Sequence, residues 1–321
     1  MYYLCHAWKP VLSNILHPLH SVSMTRIRLL LAFTIIPTVS VLAQPGLLVL
    51  QTDFGVKDGA VAAMKGVALT VSRSLVIHDL THEIPPYNIW EAAFRLKQAA
   101  PYWPAGTVFV SVVDPGVGSE RRSVVLKTSS GHYFVTPDNG TLTLVAEALG
   151  IEEVRQIDEA INRLKDSQAS YTFHGRDVYA YTGARLASGM IAFEEVGPLT
   201  GEIVRIPYKQ PVVGGETVEG TIEILDVQYG NVWTNIDAET IEKAGVSYGD
   251  KVIVSIYERT QLRYKGSMTF GRTFSDVPNG MPVAYLNSLL KFSVALNMGN
   301  FAGEYKIGSG PEWRIIVTRT K

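Results

Sequence analysis

Between Gly46 and about Tyr208 the chain alternates short apolar runs with stretches in which apolar residues recur every three or four positions. The runs "LLVLQTD", "SLVIHD", "TVFVSVVD" and "YFVTPD" read as strands covered on both faces, because they lack the polar alternation of a half-exposed strand. Between the first two, Val61, Met64, Val67, Ala68 and Val71 share one helical face. Between the second and third, Ile89, Ala93 and Leu96 form a similar stripe. Strand–helix–strand alternation of this kind predicts an α/β domain, a mostly parallel sheet flanked by helices, over residues 45–208. From about Val212 the pattern changes. "KQPVVGGETVEG" reads as a linker, taken as 209–218, into β-rich runs: "GTIEILDVQYGNVWTNI", "KVIVSIYE", "MPVAYLNS" and "EWRIIVTRT". Short strands separated by turn residues predict a smaller barrel or sandwich over 219–321.

All four apolar runs of the first domain end on an aspartate: Asp53, Asp79, Asp114 and Asp138. In open parallel sheets ligands bind outside the carboxyl ends of the strands. The four carboxylates are therefore expected to crowd one edge as a shared polar site. "VVDPGVGSERR" adds two adjacent arginines, Arg121 and Arg122, to one of those turns.

The N-terminus departs from this globular pattern. "MTRIRLLLAFTIIPTVSVLAQ" has a start at Met24, two arginines, an apolar run from Leu29 to Leu42, and small residues at Val41 and Ala43. That is the plan of a secretory signal peptide, and the run is shorter than the roughly 20 residues a spanning helix needs. Residues 1–43 are thus expected to be removed, with the true start at Met24. The mature chain would be exported, periplasmic in location, and not held in a membrane.

Removal of 1–43 takes away Lys9, Arg26 and Arg28 and no acids, leaving 26 basic and 30 acidic residues, a net charge of about −4. It also removes Cys5, the only cysteine, so the mature chain has no thiol or disulfide chemistry. A chain without net positive charge is a poor candidate for nucleic-acid binding. The His and Asp spacings match none of the usual metal-ligand motifs, so no metal is expected.

"QTDFG", "DLTHEIPP", "VDPGVGSERR", "PDNG", "TFHGRD" and "DVQYGNVWTNI" occur in an order that resembles the S-adenosylmethionine (SAM) hydroxide adenosyltransferase family, hydrolases related to the fluorinases and chlorinases. The resemblance runs from about Gly46 to the C-terminus. It implies a helix-flanked sheet domain followed by a smaller β-barrel, assembled as a homotrimer with substrate between subunits. The implied reaction is displacement of methionine from the 5′ carbon of SAM by a water-derived hydroxide, giving adenosine and L-methionine without a cofactor. The residues matching the water-binding set are Asp114, Arg121 and His174, with Arg121 favoured over Arg122. His174 is expected to open a helix, whose dipole would favour the neutral ring. Asp53 resembles the acid on the ribose diol, Asp226 the acid on the methionine ammonium, Asn231 the amide on the adenine edge, Phe274 the plate against the base, and Ser288 a methionine-end contact. Two positions depart from the pattern. Leu289 stands where the halogenases carry an arginine facing the methionine carboxylate, and Ser293 where hydrolases often carry an acid. A halogenase and an exported nucleoside-binding protein are the alternatives. An intact Asp–Arg pair argues against the first, because a carboxylate beside the nucleophile would repel halide.

Overall fold

The computed structural model describes residues 46–320, and these belong to one compact unit. The expected signal segment lies outside the described residues. Among the described residues no helix is long and apolar enough to cross a membrane.

The first part is a six-stranded mixed sheet built from β1 (Leu47–Thr52), β2 (Val76–Thr81), β3 (Val108–Val112), β4 (Ser123–Lys127), β5 (Tyr133–Pro137) and β6 (Glu153–Gln156). Their spatial order is β2-β1-β3-β5-β4-β6. The first four in that order run parallel, and β4 lies antiparallel to both of its neighbours. Helices α1 (Ala60–Val71), α2 (Ile89–Ala99), α3 (Thr143–Leu149) and α4 (Tyr181–Ala187) cover it. The lack of polar alternation has a direct structural cause. Leu48, Leu50, Val108 and Val110 pack with Met64, Ala68 and Ala184 on one face, whereas Val49, Phe109 and Phe134 pack with Leu96 and Val145 on the other. Gly183 lets α4 lie close on β3, since a Cβ there would sit 2.4 Å from Val110.

The second part contains β7 (Val212–Gly214), β8 (Thr217–Leu225), β9 (Val232–Asp237), β10 (Lys251–Glu258), β11 (Gln261–Phe270), β12 (Pro282–Leu286), β13 (Lys291–Leu296) and β14 (Trp313–Arg319), with short helices α5 (Ala238–Lys243) and α6 (Phe301–Tyr305). Pairing of β14 with β8 closes seven of these strands into a barrel, to which β7 is appended. The closed barrel, not a sandwich, is thus the outcome.

Residues 209–218, read from sequence as a linker, hold β7 and the first residues of β8. Lys209 stitches them to the barrel, because its carbonyl accepts from Thr221 Oγ1 (2.9 Å) and Asn235 Nδ2 (2.8 Å). The two parts of the chain are joined by an apolar cluster of Trp90, Ala93, Phe94, Leu144 and Ile224. Lys97, on α2, pairs with the buried Glu223 of β8 at 2.5 Å.

Candidate active site

The four strand-end aspartates separate in the structure. Asp53 and Asp114 follow the ends of β1 and β3 and line one cavity of about 360 Å³ together with Phe54, Tyr87, Phe173 and His174. Asp79 does not: it lies inside β2, 2.6 Å from Lys65 and 3.0 Å from His82 Nε2. Asp138 follows β5, but its carboxylate is taken by Arg122 and by the backbone N–H of Val204 (2.8 Å). The expected shared site of four carboxylates is therefore a site of two. The turn chemistry after each run is common to all four, and only tertiary pairing distinguishes them.

The tight turn after β3 brings Arg121 back against Asp114. Arg121 Nε donates to Oδ1 at 2.8 Å and Nη2 donates to Oδ2 at 2.5 Å, a planar two-point pair that a lysine cannot form. Both side chains are nearly buried. Desolvation works against the charge on Arg121, but the bonds to Asp114 outweigh it and its affinity for the proton rises. Arg122 faces away, onto Asp138, Thr200 Oγ1 and the carbonyl of Glu202. It fastens the strap at 200–204 to the sheet.

His174 precedes a wide-pitched helical stretch, Gly175–Ala180, that runs into α4. Such π-type turns concentrate at functional sites. Arg121 Nη2 lies 3.0 Å from His174 Nδ1. A guanidinium only donates, so Nδ1 must accept, and the ring proton of the neutral form is on Nε2. That Nε2 is buried without a partner. Burial is the main cause holding His174 below the ordinary histidine value; Glu159 pulls it up, and Arg121 and Arg163 push it down. The neutral ring expected at a helix start is thus favoured chiefly by desolvation. Gly175 allows the close packing here, as a Cβ would meet the Phe54 ring at 3.1 Å.

Asp53 does not cap α1. Its Oδ2 accepts from the backbone N–H of Tyr87 at 2.9 Å. Tyr87 has φ 68°, an outlier for an aromatic residue, and its ring is exposed at the mouth of the cavity. Sequence reading did not single out Tyr87, since nothing in "PPYN" marks a left-handed residue held by a distant carboxylate.

The remaining expected residues, Asp226, Asn231, Phe274 and Ser288, line a second cavity, of about 950 Å³, in the barrel. Asp226 and Asn231 flank the β8–β9 turn and touch, Asn231 Nδ2 donating to Asp226 Oδ2 at 3.2 Å. Phe274 is 41% exposed and meets Tyr285 edge-on at 4.9 Å, so it is not a core residue. Leu289 packs against the apolar cluster between the two parts of the chain, and Ser293 is fully buried on β13 with its hydroxyl on the Lys291 carbonyl. Within one chain the two groups of residues line separate cavities.

A helix-flanked sheet joined to a closed barrel, with an Asp–Arg–His cluster at the strand ends, defines a class of two-part α/β–β proteins. Residues 48–197 match the SAM hydroxide adenosyltransferase N-terminal domain and residues 220–314 the C-terminal domain of the same family. The chain belongs to that family. It is 37% identical to an (R)-S-adenosyl-L-methionine hydrolase of Methanocaldococcus jannaschii, over 75% of this chain and 85% of the relative. It is 31% identical to a fluorinase of an Actinoplanes species, over 84% of this chain and 96% of the relative. A crystal structure of a conserved protein from Thermotoga maritima superposes with a TM-score of 0.76 at 34% identity, covering 85% of this chain and all of that one.

Proposed function

We propose that the chain is an S-adenosyl-L-methionine hydrolase, releasing adenosine and L-methionine by attack of water on the ribose 5′ carbon. The observation that carries the reading is the Asp114–Arg121–His174 cluster beside Asp53 in one cavity. The sulfonium is already a good leaving group, so the protein needs only to orient and desolvate a water opposite sulfur. Positioning of this kind supplies about 7–11 kcal/mol in the best intramolecular cases.

Arg121 is a hub in this scheme. Its Nε–H and one Nη2–H hold Asp114, the other Nη2–H holds His174, and Nη1 donates to Ser123 Oγ at 3.1 Å. Little is left for the water. The uncommitted groups are the His174 Nε2–H, which donates to the water oxygen, and the free lone pairs of Asp114, which accept a water proton. A water lone pair forms the O–C5′ bond as C5′–S breaks. The C–S electron pair returns to sulfur as neutral thioether, and the surplus proton passes to Asp114 and then to solvent. Asp53 takes the ribose diol with the lone pairs that the Tyr87 amide leaves. No cofactor enters the scheme. The carboxylate beside the water favours hydrolysis over halide transfer.

Asp226, Ser288, Asn231 and Phe274 are assigned to the methionine ammonium, the methionine end, the adenine edge and the adenine face. Their separation from Asp114 within one chain supports a homotrimer in which the barrel of one subunit completes the neighbour's site. Apolar side chains exposed at both cavities, Tyr87 at one and Tyr229 and Met298 at the other, fit such a junction. Light scattering is expected to give three protomers, and a fully active monomer would contradict the shared site. The sequence from Met24 to Ala43 supports export; N-terminal sequencing of envelope protein is expected to begin at Gln44. The names of several relatives specify the (R) sulfonium. Incubation with each sulfonium epimer, read by mass spectrometry, is expected to give adenosine and methionine from the (R) form; intact substrate in both arms would refute the function.

A further inference from the structure

A second carboxylate stands on the far side of Arg121. Ser123, nearly buried at the start of β4, receives the Arg121 Nη1–H and lies 3.1 Å from the Tyr179 hydroxyl and 3.3 Å from Glu159 Oε1. Glu159 is anchored in turn, its Oε2 accepting from Arg163 Nη1 at 2.8 Å. Arg163 is itself fixed by the carbonyl of Ser170 at 2.6 Å.

The directions of these bonds are determined by chemistry. Arg121 can only donate, and the Glu159 carboxylate can only accept. The single Ser123 proton therefore goes to Glu159, and its lone pairs face Arg121 and the Tyr179 O–H. Tyr179 is wholly buried, burial pushes its phenol well above the ordinary value, and its ring lies 5.6 Å from the guanidinium carbon. The phenol is thus a fixed donor and wall. Asp114 pins one edge of the guanidinium plane, and the Ser123–Glu159 pair pins the other.

We infer that Glu159, acting through Ser123, is a positioning residue that fixes the Arg121 plane and thereby the Arg121–His174 bond, an assignment that rests on the hydrolase reading for its catalytic consequence. Without Ser123 the guanidinium could hinge about its Nε–Nη2 edge on Asp114 and turn the second Nη2–H away from His174. The water would then lose its oriented donor while the ribose and adenine contacts stayed intact.

Glu159 also faces His174 electrostatically. The charged and titratable groups around that ring are Asp114 and Arg121 at the β3–β4 turn, Glu159 and Arg163 after β6, Asp53 across the cavity, and Tyr179 in the following helical turn. The negative charge of Glu159 favours the protonated ring, against the burial that disfavours it.

Two variants test the assignment. Ser123→Ala is expected to lower kcat by on the order of ten- to a hundredfold, as for loss of a bond to a charged group that orients a reactant, with KM for S-adenosyl-L-methionine unchanged. Glu159→Gln keeps a polar partner for Ser123 but removes the charge. The His174 ring titration, followed by NMR with His174→Asn for assignment, is expected to move to lower pH in Glu159→Gln, where only the charge is lost, and to higher pH in folded Ser123→Ala, where the guanidinium no longer holds Nδ1. That titration needs no turnover, so it decides the inference even if the wild-type protein leaves S-adenosyl-L-methionine intact, an outcome that would refute only the hydrolase reading. Should Ser123→Ala fail to fold, Ser123→Cys, whose thiol is a weak acceptor of similar size, gives the same two readouts. Unchanged kcat in folded Ser123→Ala, or a His174 titration that loss of the Ser123 hydroxyl leaves unmoved, would overturn the assignment.

Discussion

Arg121 Nη2 bridges Asp114 and His174, 2.5 Å from one and 3.0 Å from the other. The protonation of His174 is therefore tied to its contact with Arg121. A second ring proton would have to go on Nδ1, where the guanidinium already points.

A pH profile follows from that geometry. His174 sits below the ordinary histidine value of about 6.5, chiefly through burial, so it stays neutral through neutral pH. Turnover should hold as pH falls through 7 and drop only as pH passes through the depressed native value. Between the two values the unfolded chain binds more protons than the native one, so stability also declines as pH falls through that window. An acid limb above the ordinary histidine value would contradict this.

The neighbouring arginines should behave oppositely. Arg121→Lys supplies charge without the planar fork and is expected to cut kcat by about 10²–10⁴. Arg122→Ala strips the 200–204 strap of its anchor and leaves Asp138 with one donor, costing about 1–3 kcal/mol of stability with kcat retained. Denaturant melts and steady-state kinetics on both variants separate the two roles.

Gly175→Ala places a methyl against the Phe54 ring and Val112 Cγ1 (3.3 Å) at the cavity wall. Overpacking of this kind typically costs about 1–3 kcal/mol. Phe54 is the movable neighbour, so the variant is expected to fold, with KM raised more than kcat is lowered. Wild-type kinetics would show that the wall has slack.

Leu289→Arg would not restore a carboxylate clamp. Leu289 packs on the apolar cluster of Trp90, Phe94 and Ile224, and an arginine there would strand a charge between the two parts of the chain. The expected result is lower thermal stability with no gain in affinity for L-methionine, measured by calorimetry.

The sheet was legible because Leu48, Val49 and Leu50 are buried on both faces, which leaves an unbroken apolar run. The barrel was harder. β11, "QLRYKGSMTF", carries so many exposed polar residues that it did not read as a strand, and closure through β14–β8 pairs residues about a hundred positions apart. In the site, turn chemistry marked all four aspartates alike. Only the return of Arg121 to Asp114 and of Arg122 to Asp138 sorted them, and those contacts depend on the path of the intervening turn. Ser123 and Glu159 left no sequence signal, because a strand-edge serine and a loop glutamate are ordinary surface chemistry until folded together.

The most direct measurement of the central claim is turnover of Asp114→Ala in water labelled with heavy oxygen, beside Asp53→Ala. With Asp114 as the acceptor of the water proton, Asp114→Ala should lose about 10²–10⁴ in kcat while still binding S-adenosyl-L-methionine, whereas Asp53→Ala should chiefly weaken binding. Near-normal release of labelled adenosine by Asp114→Ala would show that the water is activated elsewhere.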